Sequence, residues 1–458
     1  MSRFDAVIIG AGQAGPPLAG RLTAAGMTVA LVERKLFGGT CVNTGCMPTK
    51  TLVASAYAAH LARRSAEYGV VVTGGVSVDM ARVKARADAV IASARAGVER
   101  SLRQMAGCTV VEGHARFEGR DTVRVGGDLL TAPRIFINVG GRAVVPDMPG
   151  VGEVAYLTNT SILALDRLPR HLVVVGGSYV GLEFAQMYRR FGAEVTVIEK
   201  SARLIAREDE DVSAAVRDIL AAEGIAVRTS AECISLAPHA EGVAVSVDCA
   251  EGDPVAVGSH VLLAVGRRPN TDDLGLDAAG VATDARGYIT VDDGLATSVP
   301  GIWALGDCNG RGAFTHTAYN DFEIVAANLL DGAGRKVSQR VPAYALYTDP
   351  PLGRAGMTEA EARATGRPLL VACRPMSRVG RAVEKAETQG FMKVVVDAGT
   401  RQILGAAILG TGGDEAIHGV LDVMNIGAPY EALQRAVPIH PTVSELIPTL
   451  LGDVKPAS

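Results

Sequence analysis

The sequence has few aromatic residues, few cysteines and no block of like charges. Aromatic residues make up 4% of its 458 residues, and the formal net charge is −4 at pH 7. Because no basic cluster stands out, the composition argues against a nucleic-acid partner. Seven cysteines are an odd and small number for this length, which argues against a secreted disulfide scaffold. Closely spaced cysteines are better explained here by redox or metal chemistry.

Long apolar runs are also missing. No run approaches the roughly 20 residues that a membrane-spanning helix needs. The apolar N-terminus, residues 4–20, is similar to a signal peptide, but Asp5 and a series of glycines interrupt it. We therefore expect a cytoplasmic protein that does not use a membrane. Several hydrophobic cores are expected, because the chain is much longer than a typical domain.

Glycine is abundant, with 53 residues, and two glycine clusters share one pattern. In the first, FDAVIIGAGQAG predicts a buried strand, a Gly-x-Gly-x-x-Gly turn and a helix, and TVALVE predicts a second strand. The second cluster, HLVVVGGSYVG followed by EVTVIE, repeats this order. In both, a glycine follows the first one of the turn by 16 residues and a glutamate follows it by 23. These residues are Gly10, Gly12, Gly15, Gly26 and Glu33, and then Gly176, Ser178, Gly181, Gly192 and Glu199.

Two such clusters predict two bound dinucleotides. The first glycine permits the tight turn, the second lets backbone N–H groups approach a pyrophosphate, and the third lets the helix pack on the strand. The glutamate can accept hydrogen bonds from ribose hydroxyls. In the second cluster Ser178 replaces the middle glycine and narrows the approach, and neighbouring Gly177 is a candidate to share its role. The alternative is a plain strand-to-helix turn with a solvated acid.

A pair of cysteines follows the first cluster. Residues 38–50 read GGTCVNTGCMPTK, with Cys41 and Cys46 separated by four residues and a helical pattern after them. Thiolates near a helix N-terminus are stabilised by its dipole, which makes this pair a candidate for thiol–disulfide exchange. A metal site would need further ligands close by, but the next histidine and cysteine are His60 and Cys108. We predict no metal site. The alternative is two buried, inert thiols.

The chain resembles the flavoprotein pyridine nucleotide-disulfide oxidoreductases, which include glutathione, lipoamide and mercuric reductases. The resemblance covers almost the whole chain. It rests on six motifs in the family order: GAGQAG, GTCVNTGCMPTK, GGSYVGLE, VGRRPN at 265–270, GIWALGDC at 301–308 and IHPTVSE at 439–445. It implies an α/β fold with two Rossmann-like dinucleotide-binding domains, one for FAD and one for NAD(P), plus a C-terminal α+β dimerisation domain.

The order of the motifs divides the chain into four segments. Residues 1–145 are expected to form the first part of the FAD domain, 146–270 the NAD(P) domain and 271–335 the second part of the FAD domain. Residues 336–458 are expected to form the interface domain, with the strands GFMKVVVD and ILGAAILG and the helix DEAIHGVLDVMN. The resemblance also implies a homodimer.

The resemblance assigns roles to residues around the cysteine pair. Cys46 matches the thiol beside the flavin that forms the charge-transfer complex, and Cys41 the interchange thiol that meets the substrate. Lys50 matches the lysine that pairs with the glutamate of the second cluster, here Glu183, near the flavin N5. Tyr179 matches the aromatic gate that covers the flavin until nicotinamide displaces it.

Further cofactor-binding residues are implied in the same way. Asp307 matches the acid that binds the FAD ribityl chain, although in isolation it reads as an ordinary turn residue. The segment 137–146 matches poorly, and only Gly140 is assigned, as a turn. The full FAD set is Gly10, Gly12, Gly15, Glu33, Gly39, Thr40, Lys50, Gly140 and Asp307. The full NAD(P) set is Gly176, Ser178, Tyr179, Gly181, Glu199 and Gly266.

His440 and Glu445 belong to the last motif. A His-Pro in isolation is more often a turn residue. In the family, this histidine reaches across the twofold dimer to the disulfide of the other subunit and exchanges protons with the interchange thiol, while the glutamate orients it. Such acid–base work suits an imidazole near neutral pH.

The sequence also bears on the choice of nucleotide and of electron acceptor. Glu199 favours NADH because it repels a 2′-phosphate, but a basic run follows it, namely Lys200, Arg203 and Arg207. Segments 314–325 and 347–363 are most similar to mercuric-reductase-like enzymes and to the reactive-chlorine-resistance, copper-reducing type. A Cys pair typical of the tail of mercuric reductases is absent, and His440 stands where those enzymes usually carry tyrosine.

We therefore expect a metal ion or a small disulfide as acceptor. The alternatives are a dedicated reductase of a low-molecular-weight disulfide or of lipoamide, and a redox sensor without steady turnover. The nicotinamide unit, Tyr179 and His440 argue against a sensor, which needs no such throughput. The other cysteines have no close partner and are expected to be buried or incidental: Cys108, Cys233, Cys249, Cys308 and Cys373.

Overall fold

The structure, a computed structural model, describes residues 1–248 and 252–457. Its first parallel sheet is built from short apolar strands that are buried on both faces. Ile8 and Leu31 point to one face, where Leu18 and Phe322 of two helices cover them, whereas Val7 points to the other. The strands, in spatial order, are Ile302–Ala304, Ile135–Ile137, Ala6–Ile9, Val29–Glu33 and Cys108–Glu112. The main helices of this unit are Gly15–Ala24, Cys46–Arg64, Met80–Gln104 and Thr315–Asp331.

A small sheet covers the opposite face of the first parallel sheet. Val7 and Val32 pack there against Phe117, Val123 and Leu130. Its strands, in spatial order, are Ser2–Arg3, Asp128–Thr131, Thr122–Val125 and Ala115–Gly119. The alternation of side chains along each strand therefore separates a helical layer from a sheet layer.

The second parallel sheet repeats this plan. Leu172 and Val174 face the helices, and Val173 and Val175 face a three-stranded antiparallel sheet. The parallel strands, in spatial order, are Ala226–Arg228, Glu194–Ile198, His171–Val175 and His260–Leu263, and the antiparallel ones are Glu232–His239, Gly242–Asp248 and Val255–Gly258. The helices are Tyr179–Phe191 and Glu210–Ala222. The strands Gly141–Ala143 and Arg267–Pro269 pair with each other between the two units.

The C-terminal part forms a six-stranded antiparallel sheet. Ile417 and Leu450, from two helices, pack on Val394 and Ile408 of its central strands. The strands, in spatial order, are Ala343–Leu346, Leu352–Gly356, Ile403–Leu409, Phe391–Asp397, Leu369–Pro375 and Lys455–Pro456. The covering helices are Gly413–Asn425 and Leu446–Gly452. The predicted fold class, with two Rossmann-like units and an α+β C-terminal domain, is confirmed.

Shorter helical segments connect these parts. The short α-helices are Gly39–Thr44, Leu276–Ala279, Glu359–Ala364, Gly380–Glu384 and Glu431–Gln434. The single 3₁₀ turns are Ser65–Tyr68, Val151–Glu153, Ser161–Ala164, Gly306–Asn309, Val337–Gln339 and Met376–Arg378. Within residues 1–248 and 252–457, no helix combines the length and apolarity that crossing a membrane requires.

Candidate active site

The first glycine turn is shaped by close backbone contacts. Gly10 has φ +108°, and a Cβ there would lie 2.3 Å from the Asn138 carbonyl oxygen. A Cβ on Gly15 would lie 2.3 Å from the Gly10 oxygen, so helix and strand approach closely only without side chains. The Glu33 carboxylate accepts the Ala11 N–H at 2.9 Å. The glutamate is therefore held beside the turn, where a ribose would meet it.

The second turn reproduces this geometry. Gly176 has φ +117°, and a Cβ there would lie 2.4 Å from the Ala264 carbonyl oxygen. A Cβ on Gly181 would lie 2.0 Å from the Gly176 oxygen. The Glu199 carboxylate accepts the Gly177 N–H at 2.6 Å. The two clusters thus fold into the same turn.

The middle position of the turn tolerates a side chain. In the first turn, a Cβ on Gly12 would have Asn138 Nδ2 as its nearest neighbour, at 3.4 Å. In the second turn Ser178 precedes the helix with φ −105° and has an exposed side chain. Neither backbone requires glycine for its own packing, which explains how serine is accommodated.

The cysteine segment packs on the first turn. Gly38 N–H donates to the Ala11 oxygen at 2.9 Å, and a Cβ on Gly39 would lie 2.9 Å from the Gly12 Cα. Asn43 Nδ2 donates to the Gly39 oxygen at 2.9 Å and fixes the short helix that carries Thr40 and the first cysteine. The thiol pair is therefore placed directly beside the first dinucleotide turn.

The two cysteines differ in their electrostatics. Both are free thiols, with Cys41 on the short helix and Cys46 as the first residue of the helix Cys46–Arg64. A hydrogen bond from the Cys41 thiol lowers the pKa of Cys46 to about 6, with smaller contributions from Thr315 and Lys50. The same hydrogen bond raises the pKa of Cys41. At neutral pH the charge therefore lies on Cys46 and the proton on Cys41.

Two neighbours surround this thiolate. Thr315 Oγ1 lies 3.3 Å from Cys46 Sγ. Lys50 Nζ donates to Glu183 Oε2 at 2.7 Å and lies 4.6 Å from the centroid of the Tyr347 ring. Tyr347 N–H donates to the other Glu183 oxygen at 3.0 Å. An ammonium is thus fixed one helical turn from Cys46, joined to the helix Tyr179–Phe191 through Glu183.

Asp307 lies at the end of the first parallel sheet, in the 3₁₀ turn after the strand Ile302–Ala304. Burial raises the pKa of its carboxyl, and among the described residues its ion-pair partner is Arg267, with Nη2 at 3.7 Å. Gly140 and Gly266 have φ +63° and +129° and flank the paired strands between the two units. A desolvated carboxylate with a loose ion pair is suited to accept hydroxyl donors.

His440 and Glu445 are brought together, with Nδ1 and Oε2 2.8 Å apart. The imidazole is 81% exposed, and Val437 and Ile439 beside it are 96% and 79% exposed. Among the contacts of the described residues, none joins His440 to the cysteine pair. Within one chain, this pair therefore lies apart from the cysteines, with an exposed imidazole and a largely covered carboxylate.

Sequence reasoning missed several residues of the site. Thr315 and Tyr347 lie in segments 314–325 and 347–363, whose similarity to known enzymes indicates no role for either residue. Their contacts to Cys46 and Lys50 join elements far apart in the chain. Arg267 lies in the VGRRPN motif without an assigned role. The signal that could have indicated these three residues is their position in the sequence, because each lies at the beginning of a helix or at or next to an end of a strand.

The remaining cysteines lie apart from the pair. Burial raises the pKa of Cys308 to about 12, and its thiol donates to the Leu305 oxygen at 3.3 Å. Burial also raises the pKa of Cys108 and of Cys373. Cys233 is exposed. Cys249 lies outside the described residues. No group of three or more His, Cys, Asp or Glu in the described parts of the chain is placed to hold a metal ion.

Two dinucleotide turns with a thiol pair define a redox enzyme of the flavin and pyridine nucleotide class. Residues 4–321 match the profile of the pyridine nucleotide-disulphide oxidoreductases, and residues 342–451 match the dimerisation domain of the same family. The chain belongs to the pyridine nucleotide-disulphide oxidoreductase family. The resemblance inferred from the motifs is thereby confirmed, as is the dependence of the family on FAD and a pyridine nucleotide.

Known relatives match over nearly the full length. The probable pyridine nucleotide-disulfide oxidoreductase RclA of Escherichia coli K12 is 36% identical over 99% of this chain and 100% of that protein. A mercuric reductase of Streptomyces lividans is 32% identical, covering 97% and 94% of the two chains. A dihydrolipoyl dehydrogenase of Thermus scotoductus is 33% identical, covering 97% and 96%.

Solved structures agree. A Cu(II) complex of the HOCl-induced flavoprotein disulfide reductase RclA from Escherichia coli superposes with a TM-score of 0.90 at 34% identity, covering 99% of both chains. A second structure of that protein gives a TM-score of 0.89 at 35% identity, covering 98% of this chain and 100% of that chain.

The residues of the first unit fit FAD. Gly12 lies before the helix Gly15–Ala24 and carries no side chain, so backbone there could approach a pyrophosphate, and Glu33 and the half-buried Asp307 carboxylate offer acceptors to hydroxyl groups. When bound, FAD supplies two-electron transfer between a reduced nicotinamide and a disulfide.

Proposed function

We propose that this enzyme takes electrons from NADH or NADPH through FAD, reduces a Cys41–Cys46 disulfide, and passes the electrons to a metal ion or a small disulfide. The observation that carries the proposal is the position of the Cys41–Cys46 pair, which packs on the first glycine turn and is linked through Lys50 and Glu183 to the helix of the second turn. A hydride delivers two electrons and one proton. Reduction of the disulfide to a Cys46 thiolate and a Cys41 thiol consumes two electrons and one proton, so the step balances.

The neighbours support distinct roles for the two sulfurs. Cys46, held by Thr315 and close to the Lys50 charge, is suited to remain a thiolate beside the flavin. Cys41 keeps the proton and is suited to exchange with the acceptor. Lys50 and Glu183 position this end of the helix, and Tyr179 is the gate at the nicotinamide side.

We also infer a homodimer in which His440 serves the disulfide of the other subunit. The imidazole is oriented by Glu445 but stands 81% exposed, between apolar side chains that are exposed as well. A partner surface would cover these groups, and residues 342–451 match a dimerisation domain. His440 would then protonate or deprotonate the exchanging thiol.

NADH is the favoured nucleotide. The Glu199 carboxylate accepts N–H groups of Gly177 at 2.6 Å and Ser201 at 2.7 Å, so it is fixed at the strand end where a ribose diol would bind. Arg203 Nη2 donates to the carbonyl oxygens of Ala206 and Glu208, at 3.2 and 3.3 Å. Because its guanidinium is bound to the backbone, Arg203 is less available to bind the 2′-phosphate of NADPH.

Cu(II) or a small disulfide is the favoured acceptor. A solved relative is a Cu(II) complex, and a surface-accessible thiol pair can bind and reduce a soft or borderline metal ion. The His440 imidazole can exchange protons with thiols that attack a disulfide, a role that a bare metal ion does not need. Soft metal ions pass between thiolates by exchange, and residues 374–458 contain no second cysteine pair that could relay Hg(II), so Hg(II) reduction in excess thiol is expected to be poor.

An acceptor panel tests the proposal. Enzyme reduced anaerobically with NADH is mixed with glutathione disulfide, lipoamide, Hg(II), Cu(II) or oxygen, with Cys41→Ser as the control. We expect turnover with Cu(II) or a small disulfide that the control lacks. Fast lipoamide turnover would instead indicate a dedicated reductase. Reoxidation by no acceptor would favour the sensor, and efficient Hg(II) reduction that survives His440→Ala would contradict the acceptor assignment.

A further inference from the structure

A buried carboxylate holds the hydroxyl of the proposed gate. Glu208 is 1% exposed, and its Oε1 accepts the Tyr179 hydroxyl at 2.9 Å and the Tyr344 hydroxyl at 2.7 Å. The two rings meet edge to face, with centroids 5.5 Å apart. Tyr179 begins the helix of the second glycine turn, whereas Tyr344 lies on an edge strand of the C-terminal sheet. One oxygen therefore joins the two parts of the chain.

The backbone that presents Glu208 is tied to the glycine turn. Ile205 has φ +41°, a left-handed conformation that is strained for a β-branched residue. Its N–H donates to the Gly177 oxygen at 2.8 Å, and its oxygen accepts the Glu208 N–H at 2.8 Å. Ser213 Oγ donates to the Leu204 oxygen at 2.7 Å. These bonds hold the carboxylate at a fixed place relative to Tyr179.

The second oxygen of Glu208 is held more loosely. Arg354 Nε lies 3.5 Å from Oε2, and Arg354 is itself 1% exposed. Neither of these atoms has a hydrogen-bond partner among the described residues. Arg354 therefore balances the charge of Glu208 without completing its hydrogen bonds. The tyrosine hydroxyls at Oε1 carry the directional contacts of this carboxylate.

We propose that Glu208 is a positioning residue that holds Tyr179 closed, and that Tyr344 keeps the carboxylate hydrogen-bonded when the gate opens. This inference rests on the proposed role of Tyr179 as gate. Because both hydroxyls share Oε1, departure of Tyr179 leaves that oxygen still paired with Tyr344. Movement of Tyr179 away from Glu208 therefore creates no further buried acceptor without a hydrogen bond, which would raise the free energy of the open state. The nucleotide must break only the Tyr179 bond.

Opposite effects are expected from the two tyrosines. Tyr179→Phe removes the bond that the nucleotide must break, so it should tighten binding of NAD⁺ to the FAD-loaded enzyme about tenfold. Glu208→Gln weakens the same bond and should tighten binding about threefold. Tyr344→Phe removes the partner that makes release easy, so it should weaken binding several-fold. Calorimetric titration with NAD⁺ measures all three.

A double variant and a matched control complete the test. Tyr179→Phe with Glu208→Gln should bind NAD⁺ no more tightly than Tyr179→Phe alone. The control Tyr188→Phe removes a hydroxyl on the same helix that donates to the Ile162 oxygen at 3.1 Å, and it should leave the dissociation constant within about twofold. Iodide quenching of FAD fluorescence should rise in Tyr179→Phe and Glu208→Gln but not in the control.

The outcomes separate this inference from the proposed function. Suppose that NADH reduces the wild-type enzyme. If the effects of Tyr179→Phe and Glu208→Gln on NAD⁺ affinity are then additive, or if Tyr344→Phe also tightens NAD⁺ binding, Glu208 does not position the gate. Glu208 also does not position the gate if the variants lower the thermal midpoint of unfolding but leave NAD⁺ affinity unchanged. If Glu208→Gln does not fold, the inference is still tested by the opposite changes in NAD⁺ affinity expected for Tyr179→Phe and Tyr344→Phe. A wild-type protein that neither binds NAD⁺ nor is reduced by either nucleotide would overturn both proposals.

Discussion

Lys50 and Glu183 are 2.7 Å apart, and this contact links the helix that starts at Cys46 to the helix that starts at Tyr179. Glu183 is 5% exposed, so its carboxylate is shielded from water, and Tyr347 N–H binds its second oxygen at 3.0 Å. Because the lysine charge is held by a buried partner, it stays close to the Cys46 thiolate rather than turning to solvent. The thiol pair and the second glycine turn are thus fixed relative to each other.

Reduction of the thiol pair should have a spectroscopic signature. One equivalent of NADH added anaerobically to the FAD-loaded enzyme should produce a long-wavelength absorbance band, because Cys46 carries the thiolate. Cys46→Ser should abolish the band, whereas Cys41→Ser should retain it. If Cys46→Ser keeps the band while Cys41→Ser loses it, the assigned roles of the two sulfurs are reversed.

The reactivity of Cys46 should follow an acidic titration. In the reduced enzyme its alkylation by iodoacetamide should rise with pH through a midpoint of about 6, because the thiolate is the nucleophile and its pKa lies below the usual 9.0. Below that midpoint the thiol forms and the rate falls. Thr315→Val should move the midpoint upward, since it removes the hydroxyl 3.3 Å from Sγ.

Mass spectrometry of the alkylated peptides provides an internal reference. Partial desolvation raises the pKa of Cys373, although its side chain remains accessible, so this thiol should react only at higher pH in the wild type and in Thr315→Val. A wild-type midpoint for Cys46 near that of an ordinary thiol would contradict the assignment.

Nucleotide preference should depend on Glu199. We expect kcat/KM to be a few-fold higher with NADH, and Glu199→Ala to lower the NADH value by about tenfold or more, as expected for losing hydrogen bonds of roughly 1.5–3 kcal/mol to a charged group. Arg203→Ala should leave the ratio of the two nucleotides within about twofold, because its guanidinium is bound to backbone oxygens. A markedly higher kcat/KM with NADPH would show that the basic run dominates.

Mixed dimers test the role of His440. Subunits carrying Cys41→Ser and subunits carrying His440→Ala are each expected to form inactive homodimers. Their heterodimer should retain one competent site, about half of the wild-type activity, if the histidine serves the other subunit. Steady-state assay of tagged, purified heterodimers measures this. A heterodimer without activity would rule out the cross-subunit arrangement.

The sequence predicted features that local patterns determine. The repeated spacing from Gly10 to Glu33 and from Gly176 to Glu199 predicts two turns of one kind, because a strand, a tight turn and a helix leave little freedom in spacing. The proximity of His440 and Glu445 was likewise implied by a short motif.

Contacts between distant segments were not predictable in this way. Thr315 and Cys46 are 269 positions apart, and Tyr344 and Glu208 are 136 apart. Threonine and tyrosine occur in many environments, so their identities do not indicate a partner. The domain bounds near residues 145, 270 and 335 stay predictions. The strands Gly141–Ala143 and Arg267–Pro269, which end just before the bounds near 145 and 270, pair with each other, so no single residue separates the units.

The glycines of the two turns have a consequence for how their variants should be read. In each turn the space of the missing Cβ is taken by the chain's own carbonyl oxygens, 2.3 Å away at Gly10 and 2.4 Å at Gly176. The need for glycine is therefore imposed by the packing of each turn against the end of a neighbouring parallel strand. Alanine at either position would report on the yield of folded enzyme rather than on cofactor affinity. Both dinucleotides accordingly meet preorganised loops, whose ordering costs little entropy on binding.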